Sequence, residues 1–274
     1  MDYLQAVILG LVQGLTEFLP ISSSAHLSIV GQLVGGEDPG AAFTAISQLG
    51  TEAAVLVFFW KDITRIIGRW AQALVGKIPQ SDPDVRMGWL VIVGSIPIGV
   101  LGFMYQDFIE GSLRNLWLTA TMLLVFALVI YAADKAAKTT RELKDLTWKH
   151  GIIYGFAQAM ALIPGVSRSG GTIAAGLFMG YTREAAARYS FLLAIPAVLG
   201  SGLFQVLKIS EDPVTPAWGP ILLSTAIAFI VALAVIAWFL KYISTHTFTP
   251  FVIYRIGLAL VLFGLLGAGV LSAR

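Results

Sequence analysis

The sequence predicts an all-α polytopic membrane protein: six transmembrane helices plus two re-entrant helix hairpins in inverted-topology repeats, forming one membrane domain over residues 1–274. Three observations predict it. Hydrophobic residues make up 57% of the chain and charged residues only 12%, whereas a soluble domain carries about 25% charged residues. Six apolar stretches reach the roughly 20 residues that a spanning helix needs. Two further apolar stretches are broken by proline and a Ser/Gly-rich turn, and they share residues at a constant offset.

The charge-free spans are 88–106, 115–133, 189–207, 213–240 and 256–273; the stretch 39–60 is a sixth, with the single charge Glu52. The broken stretches pair 3–20 with 21–36, and 150–164 with 165–180. Each arm is short for a span. Irregular backbone at membrane depth is tolerated only inside protein or beside a water-filled cavity, so each pair reads as a re-entrant hairpin. The first Lys or Arg is Lys61. A cleavable signal peptide begins with a positive region, so none is expected at this N-terminus.

Positive charge orients the spans. The connection 61–87 holds Lys61, Arg65, Arg69, Lys77 and Arg86, and the connection 134–149 holds Lys135, Lys138, Arg141, Lys144 and Lys149. The connections 107–114 and 208–218 hold one each. The two rich connections are expected in the cytoplasm and the first hairpin on the outer side. The net charge of +2 and the lack of any basic arm argue against a nucleic-acid partner. With no cysteine, disulfides, thiolate chemistry and Cys-based metal sites are excluded.

The broken stretches are related to each other. Gly10, Gln13, Ser22 and Ser24 recur at an offset of 145 as Gly155, Gln158, Ser167 and Ser169. Each half reads as one hairpin plus three spans, with repeats at about 1–134 and 150–274. Three is odd, so the second half enters from the opposite side. Inverted repeats place a functional site where the broken helices meet.

Ionisable groups in apolar segments are functional hypotheses by default. The first hairpin carries Glu17 and His26, with Gln13, Ser22, Ser23 and Ser24 nearby; the second carries Arg168. Gln13 and Glu17 share a helix face, and their oxygens suit a hard cation such as Mg²⁺ or Ca²⁺. The run Ser167-Arg168-Ser169-Gly170-Gly171-Thr172 opens a helix. Free amides at a helix start bind anions, and Arg supplies a bidentate cationic fork suited to phosphate. Glycines there let a phosphate come close. His26 is a candidate general acid or base, and Ser23 is the preferred nucleophile. Glu52 is open between lining the cavity and pairing with a neighbouring helix. His150 and His246 are expected at interfacial cytoplasmic ends. Arg255, near the cytoplasmic end of the last span, is expected to snorkel. The small residues Gly264, Gly267 and Gly269 suit helix packing, within the chain or in a homodimer.

At these residues the chain resembles a known family. Gln13 to Glu17 is similar to the first signature of the bacterial undecaprenyl pyrophosphate phosphatases of the bacitracin-resistance type: Glu or Gln, three residues, then Glu. Residues 164–172 meet every fixed position of the second, Pro-Gly-x-Ser-Arg-Ser-x-x-Thr. The Pro20-Ile21-Ser22-Ser23 segment leading to His26 also matches. The resemblance implies six spans with two re-entrant pairs. It implies release of the terminal phosphate from a polyprenyl (C55-type) pyrophosphate, giving the monophosphate carrier lipid for cell-wall synthesis. Divalent-metal dependence, a bacterial plasma-membrane location, a site facing the outer side and reduced bacitracin sensitivity on overproduction follow from the same likeness. Glu17, His26 and Arg168 match the family's carboxylate, histidine and arginine; Ser22, Ser23, Ser167, Ser169 and Thr172 match its hydroxyl set. The first signature starts here with Gln13, which removes one negative charge from any metal site. The rival expectation is a carrier-lipid flippase or anion transporter using the same phosphate site.

Overall fold

Spanning segments must satisfy every backbone group internally, and in this chain helices do so. The computed structural model describes residues 2–35, 40–210 and 218–273. The helices are α1 (Tyr3–Thr16), α2 (Ser23–Gly35), α3 (Gly40–Phe58), α4 (Trp60–Leu74), α5 (Pro83–Met104), α6 (Gln106–Glu110), α7 (Leu116–Ala136), α8 (Trp148–Ala159), α9 (Arg168–Phe178), α10 (Arg183–Ser210), α11 (Trp218–Ile243) and α12 (Thr249–Gly267). Among the described residues none forms a named strand.

Five helices, α5, α7, α10, α11 and α12, are long and apolar enough to span, and α3 with α4 makes a sixth candidate across a 78° bend. All six expected spans are largely helical where they are described, but the last is shifted: α12 runs Thr249–Gly267, so 268–273 of the expected 256–273 is not helical; residues 39 and 213–217 lie outside the described residues. Large apolar side chains such as Phe103, Leu128, Ile230 and Leu260 stand exposed on these helices, as lipid contact requires. The connection 61–87 is more structured than its charge content suggests. Its first part is α4, an amphipathic helix whose Arg65 pairs with Asp62 and Asp84, and whose Arg69 pairs with Asp82. The 78° bend turns this helix away from the span direction, so its charged face can stay wet.

The hairpins open on opposite faces. Gln32 of α2 donates to Ser272 O (3.2 Å), beyond the C-terminus of α12. After α9, Arg141 donates to Met179 O (2.6 Å) and Thr182 N to Arg141 O (2.8 Å), so the second mouth lies against the Lys/Arg-rich connection. That connection and the start of α12 share a face, because Phe248 N donates to Asp134 Oδ2 (2.9 Å). The packing is reciprocal. α1 lies on α11 and α8 on α5; α3 meets α10, and α7 meets α12. Gly10 and Gly155 explain how closely: a Cβ on Gly10 would stand 2.6 Å from Ser224 O of α11, and one on Gly155 would stand 2.7 Å from Gly94 O of α5.

Arg255 corrects the sequence reading. It does not snorkel; it is 0% exposed. Its guanidinium donates to Pro20 O (3.0 Å) in the first hairpin tip and to Gly165 O (2.7 Å) and Val166 O (3.3 Å) in the second. It also donates to Leu123 O (3.2 Å) and Met122 O (3.3 Å) of α7. The cause is positional. Residue 255 lies nearly two turns inside α12, at a depth where both tips leave carbonyls without helical partners. Only Arg offers five donors in one rigid plane. We predict that Arg255→Ala costs about 3 kcal/mol or more, through stranded carbonyls. Thermal unfolding in detergent checks this; an unchanged midpoint would show that the tips hold without it.

Candidate active site

Each hairpin tip ends in a serine forced out of ordinary backbone space. Ser22 has φ 72° and Ser167 has φ 71°, a region costing a non-glycine residue about 1–3 kcal/mol. The turn aims each hydroxyl at the helix it precedes. Ser22 Oγ accepts from Ala25 N (3.4 Å), and Ser167 Oγ accepts from Gly170 N (3.1 Å). Each also meets the serine two residues on, Ser24 or Ser169, at 3.2 Å. Two helix starts, with their free amides and positive dipole ends, therefore come together. Ser169 Oγ closes the gap by donating to Leu19 O (3.0 Å).

Glu17 is the hub. Its Oε1 accepts from Arg168 Nη2 at 2.7 Å, and its Oε2 accepts from Gln13 Nε2 at 2.8 Å and Ser23 Oγ at 2.6 Å. The pair is buried, with 3% of the Glu17 side chain and 13% of the Arg168 side chain exposed. Glu52 joins from α3, its Oε2 4.0 Å from Arg168 Nη2. Among the described residues, Arg168 Nη1, Gln13 Oε1 and both Glu52 oxygens have no hydrogen-bond partner. Buried donors and acceptors left unpaired in one cluster call for a polar partner.

The family model of bacitracin resistance protein BacA matches residues 6–261. The chain belongs to this family. Relatives named undecaprenyl-diphosphatase cover it end to end. One from Pseudarthrobacter chlorophenolicus is 64% identical over 277 residues, with 100% of both chains covered. One from Micrococcus luteus is 62% identical at the same coverage. One from Renibacterium salmoninarum is 62% identical and covers 100% of this chain and 99% of its own.

In this BacA-family chain the structure gathers Gln13, Glu17, Ser23 and Arg168 into one hydrogen-bonded group, with Ser22, Ser167 and Ser169 at its edge. His26 stands apart from that group. Its Nδ1 faces Ser22 O at 2.7 Å and so carries the proton, which leaves Nε2 to meet Tyr254 OH at 2.6 Å. The Ser23 hydroxyl points at Glu17, not at His26. Gly170 and Gly171 also have other tasks. Their amides donate to Ser167 Oγ and O, and a Cβ on Gly171 would come 3.2 Å from Ala157 O of α8. That leaves Arg168 and Ser169 as the open amides of α9. Thr172 turns back to Arg168 O (2.7 Å) and bonds the Ser190 hydroxyl. Sequence reasoning did not bring in Thr51, which meets Gln13 Nε2 at 3.4 Å, or Tyr254. It left Glu52 undecided, although a lone charge inside a span was the available signal.

Removing one partner of a buried pair strands the other charge, at a cost of about 3–5 kcal/mol. Glu17→Gln should therefore destabilise the protein by that order. Arg168→Met placed on top should restore part of the loss. A double-mutant cycle by thermal unfolding checks it, and additive effects would mean the two groups are not coupled.

Proposed function

We propose that this protein hydrolyses undecaprenyl diphosphate to the monophosphate and inorganic phosphate, recycling the carrier lipid used in cell-wall synthesis. The observation that carries the proposal is the Glu17 hub: a carboxylate holding a serine hydroxyl on one oxygen and a guanidinium on the other, between two helix starts. The names of the relatives agree with this reading. The protein is a multi-pass membrane protein; we place it in the bacterial plasma membrane with the site toward the outer side, because the Lys/Arg-rich connection occupies the opposite face from the first hairpin's mouth.

The prenyl tail stays in lipid and the diphosphate enters between the tips. Arg168 Nη1, unpartnered among the described residues, takes oxygens of the terminal phosphate, with the Arg168 and Ser169 amides beside it. Donors aimed at developing charge are the main source of rate enhancement in such transfers. Ser23 Oγ attacks the terminal phosphorus in line while Glu17 Oε2 accepts its proton. The bond from phosphorus to the bridging oxygen breaks, and the lipid monophosphate leaves. Water then cleaves the seryl phosphate, with Glu17 returning the proton to Ser23. His26 bonds Ser22 O and Tyr254 OH, so a proton it supplies to the departing phosphate oxygens passes through the Tyr254 hydroxyl.

The oxygens at hand fit a divalent cation. Among the described residues no three His, Asp, Glu or Cys side chains cluster as a metal site. Mg²⁺ or Ca²⁺ is commonly held by one or two carboxylates, with substrate phosphates completing the shell. Glu17 with the unpartnered Gln13 Oε1 would hold it here, and when bound it would neutralise phosphate charge. A Cβ on Gly264 or Gly267 would meet nothing within 4 Å, and a homodimer would use that open face of α12.

Arg168→Ala should lower kcat at least about 10²-fold in phosphate release from a polyprenyl diphosphate in detergent; near-normal turnover would remove the centre of this mechanism. EDTA should abolish release and Mg²⁺ or Ca²⁺ restore it. Acid quench with terminally labelled substrate should trap label on Ser23. A Ser23→Ala protein that keeps its rate would instead make water the nucleophile.

A further inference from the structure

Glu52, beside the Glu17–Arg168 pair, is an acidic group that the mechanism above leaves unused. It sits inside α3, 0% exposed, and among the described residues neither carboxylate oxygen has a hydrogen-bond donor. Buried polar atoms are nearly always partnered, and a buried charge is paired or binds a metal. The ion pair Glu52 makes is weak: Arg168 Nη2 stands 4.0 Å away and is already committed to Glu17 at 2.7 Å. Its position is nevertheless fixed. A Cβ on Gly50 would lie 2.2 Å from Thr225 O of α11, so α3 is pressed on α11 at this level and cannot slide.

Gln13 links the two acids. Its Nε2 donates to Glu17 (2.8 Å) and to Thr51 (3.4 Å), the residue before Glu52. Its Oε1, equally buried, has no donor. Oxygens from α1, the first tip and α3 thus gather around Arg168 and Gln13, and those of Glu52 and Gln13 are unclaimed among the described residues. The charges do not balance either. One guanidinium faces two carboxylates, and a diphosphate would add further negative charge.

We infer that Glu52 is the second carboxylate of a divalent-cation site shared with Glu17 and Gln13 Oε1, supplying from α3 the charge that an amide at position 13 lacks. The inference rests on the diphosphatase reading for what completes the shell, namely diphosphate oxygens. It does not rest on that reading for the cation itself. Hard oxygen donors of this kind suit Mg²⁺, Ca²⁺ or Mn²⁺.

The test reads binding separately from turnover. Purified protein in detergent is titrated with Mn²⁺, with and without methylenediphosphonate, and free Mn²⁺ is followed by electron paramagnetic resonance. Thermal unfolding in EDTA checks that each variant is folded. Glu52→Gln should weaken Mn²⁺ at least about tenfold, and the transposed variant Gln13→Glu/Glu52→Gln should recover most of it. If Glu52→Gln binds Mn²⁺ as the parent does, the inference is overturned while the phosphatase reading stands. Weakening with no recovery in the transposed variant also overturns it, making Glu52 a structural group. Should the parent bind Mn²⁺ but release no phosphate, the phosphatase reading fails and the cation site remains.

Discussion

Five backbone carbonyls around one buried guanidinium hold this protein's functional half together. A re-entrant helix must turn inside the membrane, and a turn leaves carbonyls with no helical donor. In water such groups cost little; at membrane depth each costs several kcal/mol. Two tips meeting head-on would double that cost. Arg255 settles both at once, because a single planar fork reaches Pro20 O in one tip and Gly165 O and Val166 O in the other. The same fork ties them to α7 through Leu123 O and Met122 O. The distance between the tips, and with it the distance between Glu17 and Arg168, is therefore set by a group that touches neither.

The scaffold around that clamp is close to symmetric and the chemistry on it is not. Positions 22 and 167 have matching backbone angles, matching caps and matching serine neighbours. Positions 10 and 155 both admit an opposing backbone. Advance the same offset to the groups that do the work and the match ends. Ser23 corresponds to Arg168, Glu17 to Leu162, and His26 to Gly171. Gln158 keeps the burial of Gln13, but its amide finds no partner among the described residues. Duplicated geometry supplies two strained helix starts aimed at each other; divergence at a few positions makes one end acidic with a serine and the other cationic. An anhydride bond needs that polarity, since one end must activate an attacking oxygen while the other takes up charge on the phosphate.

Much of this was legible in the residues, because the bilayer imposes rules that composition obeys. Spans announced themselves by apolar length, hairpins by Pro20 and Pro164 with their serines, and the site by a Glu and an Arg that lipid would not accept. Two kinds of information stayed hidden. Local patterns cannot say which buried charge meets which: Glu52 sits on α3, far in sequence from Glu17 and Arg168, and the packing of α3 against α1, α10 and α11 brings it in. A residue's distance from the end of its stretch is also a poor guide to its depth. Arg255 looked terminal, yet α12 begins at Thr249 and carries it inward. The Gly170-Gly171 pair was ambiguous for a related reason, since glycine admits a phosphate and a neighbouring helix alike. Here α8 and the Ser167 cap have taken the space and the amides.

Glu17 is asked to do two things that conflict. A carboxylate that binds a guanidinium tightly is a weaker base, and one that serves a serine must keep electron density on the oxygen facing it. The structure divides the two duties between the two oxygens, Arg168 on Oε1 and Ser23 on Oε2. Arg168 in turn keeps Nη1 unspent, so it can take a phosphate oxygen without releasing Glu17. In the proposed reaction the diphosphate adds contacts to a group already in place, and little reorganisation stands between binding and reaction. That preorganisation is what electrostatic stabilisation of phosphoryl transfer requires. It is available only because the strained serines and the Arg255 clamp hold both tips still.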